Sequence, residues 1–149
     1  MINKCVYTHS MDHSFSCKCI SLRKASKNLT KIYDSALIKV DLKITQFSTL
    51  ENIHKLGKTN IMDLSSELEL DRTTVLRNVE KLIEMDLVSC KYDNDSKNKI
   101  IQLTTIGINK LREAIIIWEE TEYQYIKALD IKNYEDIETV INKISKINI

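Results

Sequence analysis

Proline is absent from the 149 residues and glycine occurs only twice. With so few helix breakers, long helices should dominate, and a mainly α fold with one small hairpin is expected. No apolar run approaches the ~20 residues of a membrane span. The polar N-terminus, dotted with Cys and His, lacks the apolar core of a signal peptide. The expected location is the cytoplasm, with no membrane partner, and there the four cysteines stay reduced, open to sensing or metal binding but not a disulfide framework. Catalytic signatures are missing as well. There is no Ser/His/Asp or Cys/His arrangement and no glycine-rich phosphate loop, and Cys17-Lys18-Cys19 lacks the Cys-x-x-Cys spacing of thiol oxidoreductases, so no enzyme is expected.

A large net charge is also lacking, the sum being +1 at pH 7. Divided along the chain it is less even: residues 1–58 carry +6, residues 59–104 carry −3 and residues 105–149 carry −2. What remains is one soluble globular domain's worth of chain, 43% hydrophobic and 29% charged.

The most informative stretch runs from Asn60 to Thr104. Asp71 is a good N-cap, and Val75, Leu76, Val79, Leu82 and Ile83 follow at i, i+1, i+4, i+7 and i+8, which makes one apolar helical stripe. The other face carries Arg72, Thr73, Thr74, Arg77, Asn78 and Lys81. Guanidinium, hydroxyl and carboxamide groups are what base edges and phosphates demand, and they crowd the first turns, where the helix dipole favours an anion. Upstream, Asn60 and Asp63 open a shorter helix with Ile61, Leu64 and Leu68 on one face, and Glu69-Leu70 links it to Asp71. Two short helices joined by a tight turn are a helix-turn-helix. Downstream, Val88, Cys90 and Tyr92 alternate with polar residues, 93–98 is turn-forming, and Ile101 and Leu103 alternate again, which adds a wing.

Thr45-Gln46-Phe47-Ser48, the run from Asp63 through Val88, and Leu103-Thr104 followed by Gly107 and Leu111 resemble the multiple-antibiotic-resistance regulator (MarR) family of dimeric repressors. The resemblance covers about residues 17–130, with several motifs in the right order and spacing. Asp41 and Asp86 stand where that family usually has glycine after a helix, and its Asp-x-Arg wing tip reads Asp95-Ser96-Lys97, a point charge in place of a planar fork. The resemblance implies a winged helix-turn-helix with a helical dimerisation domain built from both termini. The divisions expected are 1–16, a tail, disordered or sensory; 17–44, a dimerisation helix and link; 45–104, the DNA-binding domain; and 105–149, the C-terminal dimerisation helices.

In the N-terminal tail Cys5, His9, His13 and Cys17 recur every four residues. On a helix they would stack as zinc or copper ligands. The same spacing arises by chance in a loose tail, and no cofactor is otherwise implied. Cys17 and Cys19 also sit at a helix entrance beside Lys18, Arg23 and Lys24, a positive neighbourhood that suits a reactive thiol. Some branches of the resembled family sense oxidants through a cysteine near the start of the first helix. The plainer alternative is two small residues packed at a dimer seam, and Cys90 is expected on the buried face of the wing strand.

From Ile20 to Val40 apolar positions keep helical spacing, with a basic outer side. Thr45 is the expected cap of the next helix, in which His54 lies near an apolar face, and Gly57 ends it. Thr104 caps a long helix, and a last one starts at about Tyr134. Ile115-Ile116-Ile117-Trp118 is apolar all round, so a second subunit is its natural cover. Tyr33 and Trp118, near this seam, are either core or the lining of an effector pocket.

The reading is a homodimeric repressor on double-stranded DNA. Arg72, Thr73, Thr74, Arg77 and Asn78 supply base and phosphate contacts, Ser65 a phosphate contact, and Lys97 and Lys99 the wing charge. Release comes from oxidation of Cys17 or Cys19 or from a small-molecule effector. The alternative is a winged-helix protein-interaction module without sequence-specific DNA binding.

Overall fold

The computed structural model describes residues 17–92, 99–129 and 134–148. In chain order it has α1 (Lys18–Leu37), a 3-10 turn (Ile38–Val40), α2 (Ile44–Leu56), α3 (Ile61–Leu68) and α4 (Arg72–Glu84), then strands β1 (Val88–Tyr92) and β2 (Lys99–Leu103), and finally α5 (Thr105–Ala128) and α6 (Tyr134–Ser145). It is a mainly helical winged helix-turn-helix. The strands pair antiparallel, Val88 opposite Leu103 and Tyr92 opposite Lys99. Thr59, just before α3, forms a bridge to Ile101 through two backbone hydrogen bonds of 3.0 and 2.7 Å, which ties the start of the helix-turn-helix to the wing.

The core of the head lies where α2, α3 and α4 meet, around Leu50, Ile53, Leu64, Val75, Val79 and Leu82, all buried. Each such aliphatic side chain contributes roughly 1.5–3 kcal/mol when fully removed from water. α1 packs along α5, and Phe47 of α2 stacks on Trp118 of α5 with ring centroids 6.0 Å apart. α6 is different. From Glu135 to Ser145 only Ile137 is even half-buried, and the apolar side of this helix stands open with those of α1 and α5.

Three helical segments end in one way. Asp41, Glu69 and Asp86 adopt left-handed φ of 56°, 51° and 58°, and the leucine after each (Leu42, Leu70, Leu87) donates its N–H to the carbonyl five residues back, of Leu37, Ser65 and Leu82. This is the hydrogen-bond pattern that glycine usually terminates. Carboxylate residues hold it here, at a conformational cost of about 1–2 kcal/mol each.

Some sequence expectations give way. α2 begins at Ile44, not after a Thr45 cap: Gln46 Oε1 accepts from Lys43 N and Asp34 Oδ1 from Ile44 N, each at 2.8 Å, so neighbouring side chains satisfy the first amides. On β1 only Val88 is buried; Cys90 and Tyr92 are exposed, while Ile101, opposite Cys90, is buried on β2, the strand that Thr59 flanks. His54 is exposed as well. Leu76 and Ile83 lie off the buried stripe, since each follows a core neighbour by one residue, ~100° around the helix.

The wing root and α5 are joined tightly. Thr104 N–H donates to Leu87 O at 3.0 Å, its hydroxyl donates to Asp86 O at 2.7 Å, and the same oxygen accepts from Gly107 N at 2.9 Å, capping α5. Gly107 is pressed so closely on Leu87 that a Cβ there would stand 1.9 Å from the Leu87 carbonyl oxygen. Gly107→Ala is therefore expected to destabilise by about 3 kcal/mol or more, the upper range for overpacking. That corresponds to a fall of roughly 6–12 °C in the midpoint of thermal unfolding by circular dichroism; a midpoint within a degree or two of wild type would show that the backbone yields there.

Candidate nucleic-acid interface

Asn60 and Asp71 start the two helices of the motif, each by the oxygen-to-amide capping that a short helix needs. Asn60 Oδ1 accepts from Met62 N at 2.8 Å and Asp63 N at 3.0 Å. Asp71 Oδ1 accepts from Thr74 N at 2.9 Å and Oδ2 from the Thr74 hydroxyl at 2.6 Å. These bonds to Thr74, the hydroxyl's first, hold the Asp71 carboxyl below the ordinary aspartate value. With Val75, Val79 and Leu82 buried, α4 is held so that Arg72, Thr73 and Arg77 project from the protein on its first two turns.

The remaining expected contacts divide. Thr74 is half-buried and its hydroxyl serves the cap, so it faces an outside group as an acceptor only. Ser65, also half-buried, donates to Ile61 O at 2.6 Å. Asn78 is turned toward the packed side of α4. Its Nδ2 is buried without a hydrogen-bond partner, so the structure takes it off the exposed face where the sequence placed it. Leu76 makes the opposite change. It is 44% exposed, beside the exposed Thr73 and Arg77, and its hydrophobicity hid it among the core positions. Lys99 is exposed at the wing root, its Nζ over the Tyr92 ring, whereas Lys97 and the rest of the wing tip (93–98) lie outside the described residues.

Three acidic groups of the head are engaged with neighbouring side chains. Glu67 pairs with Lys55 of α2, Asp63 Oδ2 accepts from Asn60 Nδ2 at 2.7 Å, and Asp71 is in its cap. Arg72 and Arg77 take part in none of the ion pairs of the described residues.

Away from the head, Cys17 is the N-terminal boundary residue of α1 and is exposed, as is Cys19, which borders an open groove of about 680 Å³ with Arg23 and Ile144. Of the suggested metal set, Cys5, His9 and His13 lie outside the described residues, and among the described residues no three His, Cys, Asp or Glu side chains come together. Trp118 lines a groove of about 530 Å³ between α2 and α5 with Ile44, Phe47, Ser48, Glu51 and Ile115. Tyr33 does not; it donates from α1 to Glu122 of α5. Burial first, then the Glu122 charge, pushes the Tyr125 hydroxyl up. Among the described residues no helix is long and apolar enough to cross a membrane.

The family model described as the MarR family matches residues 42–99, from the end of α1's turn to the start of β2. In residues 42–99 the chain is similar to the MarR family. Its members are regulators of transcription, not enzymes. Likeness to solved MarR-family structures extends beyond that segment. The Mycobacterium tuberculosis transcriptional regulator MosR, in a complex with DNA, is 29% identical with a TM-score of 0.74, over 86% of this chain and 92% of that one. At lower identity the fold alone is shared. BpsR of Bordetella bronchiseptica is 20% identical with a TM-score of 0.81, over 91% of this chain and 98% of that one. A mutant of Escherichia coli MarR with operator DNA is 16% identical with a TM-score of 0.78, over 85% and 91%. No curated protein sequence is similar enough to count as a match.

The Asp71 cap has a pH signature. Because its folded value is lowered, its contribution to stability is complete above the ordinary aspartate value near 3.8 and is lost as pH falls through the lower, folded value. An NMR titration of the Asp71 side-chain carboxyl carbon should show a midpoint below 3.8, and Asp71→Asn should remove that part of the acid-limb pH dependence. A midpoint at or above the ordinary value would mean that the Thr74 bonds are not kept in solution.

Proposed function

We propose that the chain is a DNA-binding transcriptional regulator, a repressor acting as a homodimer on a pseudo-palindromic operator. The observation that carries this is the exposed start of α4, where Arg72, Thr73 and Arg77 stand out on a helix whose opposite side is anchored in the core and whose amide end is capped. Such a helix presents bidentate guanidinium donors to guanine edges and phosphates in the major groove. The complexes with DNA described for MosR and for Escherichia coli MarR support the same use of this fold. A protein-interaction module without DNA binding gives no reason for that polar face to be left unpaired.

Dimerisation is supported by what one protomer leaves uncovered. Ile141 is 54% and Ile116 67% exposed, and an apolar groove of about 750 Å³ runs between α1, α5 and α6, lined by Leu22, Leu29, Ile32, Ile137, Ile141 and others. Patches of this kind mark interfaces, and a second copy would cover this one while placing two α4 helices about one DNA turn (~10 bp) apart. The 17–44 and 105–149 segments are then the dimerisation parts and 45–104 the reading head.

Two routes of release fit. A small amphipathic effector would occupy the Phe47–Trp118 groove, where Ser48 and Glu51 offer polar contacts and whose size suits a ligand; BpsR is described as having its DNA binding regulated by 6-hydroxynicotinic acid. Oxidation of Cys17 or Cys19 would act at the α1–α6 edge of the dimer seam, and a few kcal/mol of differential stability suffices to shift such an equilibrium.

Arg77→Ala is expected to erase discrimination between the upstream intergenic DNA and a random duplex in fluorescence anisotropy, a loss of about 1–3 kcal/mol per bidentate contact, while sedimentation still shows a dimer. Retained discrimination, or a monomeric wild type, would remove the assignment it tests. With both Cys17 and Cys19 replaced by Ser, peroxide should no longer release DNA. Release that persists in that variant excludes the thiol route and leaves the effector.

A further inference from the structure

The wing root joins residues that are far apart in sequence. Lys99, first in β2, lies directly opposite Tyr92, last in β1. Its Nζ is 5.5 Å from the centroid of the Tyr92 ring, within reach of a cation–π contact. Burial does not explain that tyrosine, which is 70% exposed. Arg72 arrives from a different element, the first turn of α4, and lines with Lys99 a single groove of about 260 Å³ whose other wall is Asn60, Ile61 and Met62.

Two cations brought to one groove repel each other unless an anion lies between them. No carboxylate of the described residues supplies it. Asp71 is taken by Thr74 and Asp63 by Asn60, and among the described residues neither Arg72 nor Lys99 forms an ion pair. The α3 amides do not supply the attraction either, since those of Met62 and Asp63 already donate to Asn60 Oδ1. The site's charge therefore comes from a planar guanidinium fork and a point ammonium, a pair suited to the oxygens of a phosphodiester.

We propose that Arg72 and Lys99 together clamp one backbone phosphate of DNA, and that Tyr92 is a positioning residue that holds the Lys99 ammonium over the groove. This rests on the DNA-binding reading and deepens it. It adds a contact at the wing root to the one expected at the tip, where Lys97 replaces the arginine usual in the resembled family.

The test needs no operator, because phosphate contacts are independent of sequence. Full-length protein is titrated into a random fluorescent duplex over a range of salt concentrations, with circular dichroism confirming that each variant is folded. One phosphate contact contributes about 0.9 to the slope of log affinity against log salt. Lys99→Met and Arg72→Met are each expected to weaken binding several-fold and to make the slope shallower, and the double variant to lose about 0.9 in all. Tyr92→Leu should reproduce part of the Lys99→Met loss and add nothing in the Lys99→Met background, while Tyr92→Phe, which keeps the ring, binds like wild type. A slope loss twice as large in the double variant would mean two separate phosphates and overturn the clamp. A Tyr92→Leu penalty that persists without Lys99 would make the tyrosine a DNA contact in its own right and overturn its positioning role. Wild-type binding with unaltered variants sinks the clamp alone, and a wild type that binds no duplex at low salt sinks the DNA-binding reading with it.

Discussion

The contact between Gly107 and the Leu87 carbonyl is the constraint on which the arrangement of this molecule depends. It lets Thr104 reach Asp86 and Leu87 while capping α5, so the end of α4, the root of the wing and the start of the longest helix share one set of hydrogen bonds. A side chain at position 107 would push these apart. As built, the wing root cannot shift far without carrying α5 with it, and α5 in turn carries Trp118 against Phe47 and Glu122 against Tyr33. The helical base and the head are thereby joined through packed backbone and not through a loose link.

The same junction shows why much of the fold was legible in the sequence. Leu103-Thr104, Gly107 and Leu111 form a recognisable string because each serves locally in a single way, as strand end, cap, close approach and core. Likewise Asn60 and Asp71 cap as their chemistry demands, and the want of glycine at positions 41 and 86 stands out because those helices do end in the left-handed conformation. Glu69 adopts it too, and nothing marked it, for an exposed glutamate in a two-residue link looks ordinary until the Leu70 N–H is seen to reach back to Ser65.

What failed to be legible was rotation about an axis. Hydrophobicity placed Leu76 in the core of α4 and polarity placed Asn78 outside, yet each lies at the border of the buried stripe, where packing against α2 and α3 decides. A periodic pattern locates the middle of a face well and its edges poorly. The cap of α2 was misplaced for a related reason: Asp34, ten residues upstream in sequence, adds nothing to a local pattern but accepts from Ile44 once α1 and α2 are folded together. Cys90 shows the limit for strands, since alternation predicts a buried side only as far as there is core to cover it: on β1 that cover stops after Val88, while the opposing Ile101 of β2 stays buried.

Charge poses the hardest question for a DNA-binding reading, because the 59–104 segment sums to −3. Net charge is the wrong quantity at this range. Interactions between exposed groups are screened beyond about 8–10 Å at ordinary salt, so what a phosphate meets is the local set. Asp63 and Asp71 have their oxygens turned to Asn60 and Thr74, and Glu67 is drawn to Lys55 on α2. Arg72, Arg77 and Lys99 have no such partners among the described residues. Glu80 and Glu84 follow on the exposed side of α4, one turn and two turns beyond Arg77. The amide end of the helix, with its arginines, is thus the part that DNA can approach favourably, and the acidic end is the part it is kept from. A charge pattern of that kind selects an angle of approach rather than a general affinity.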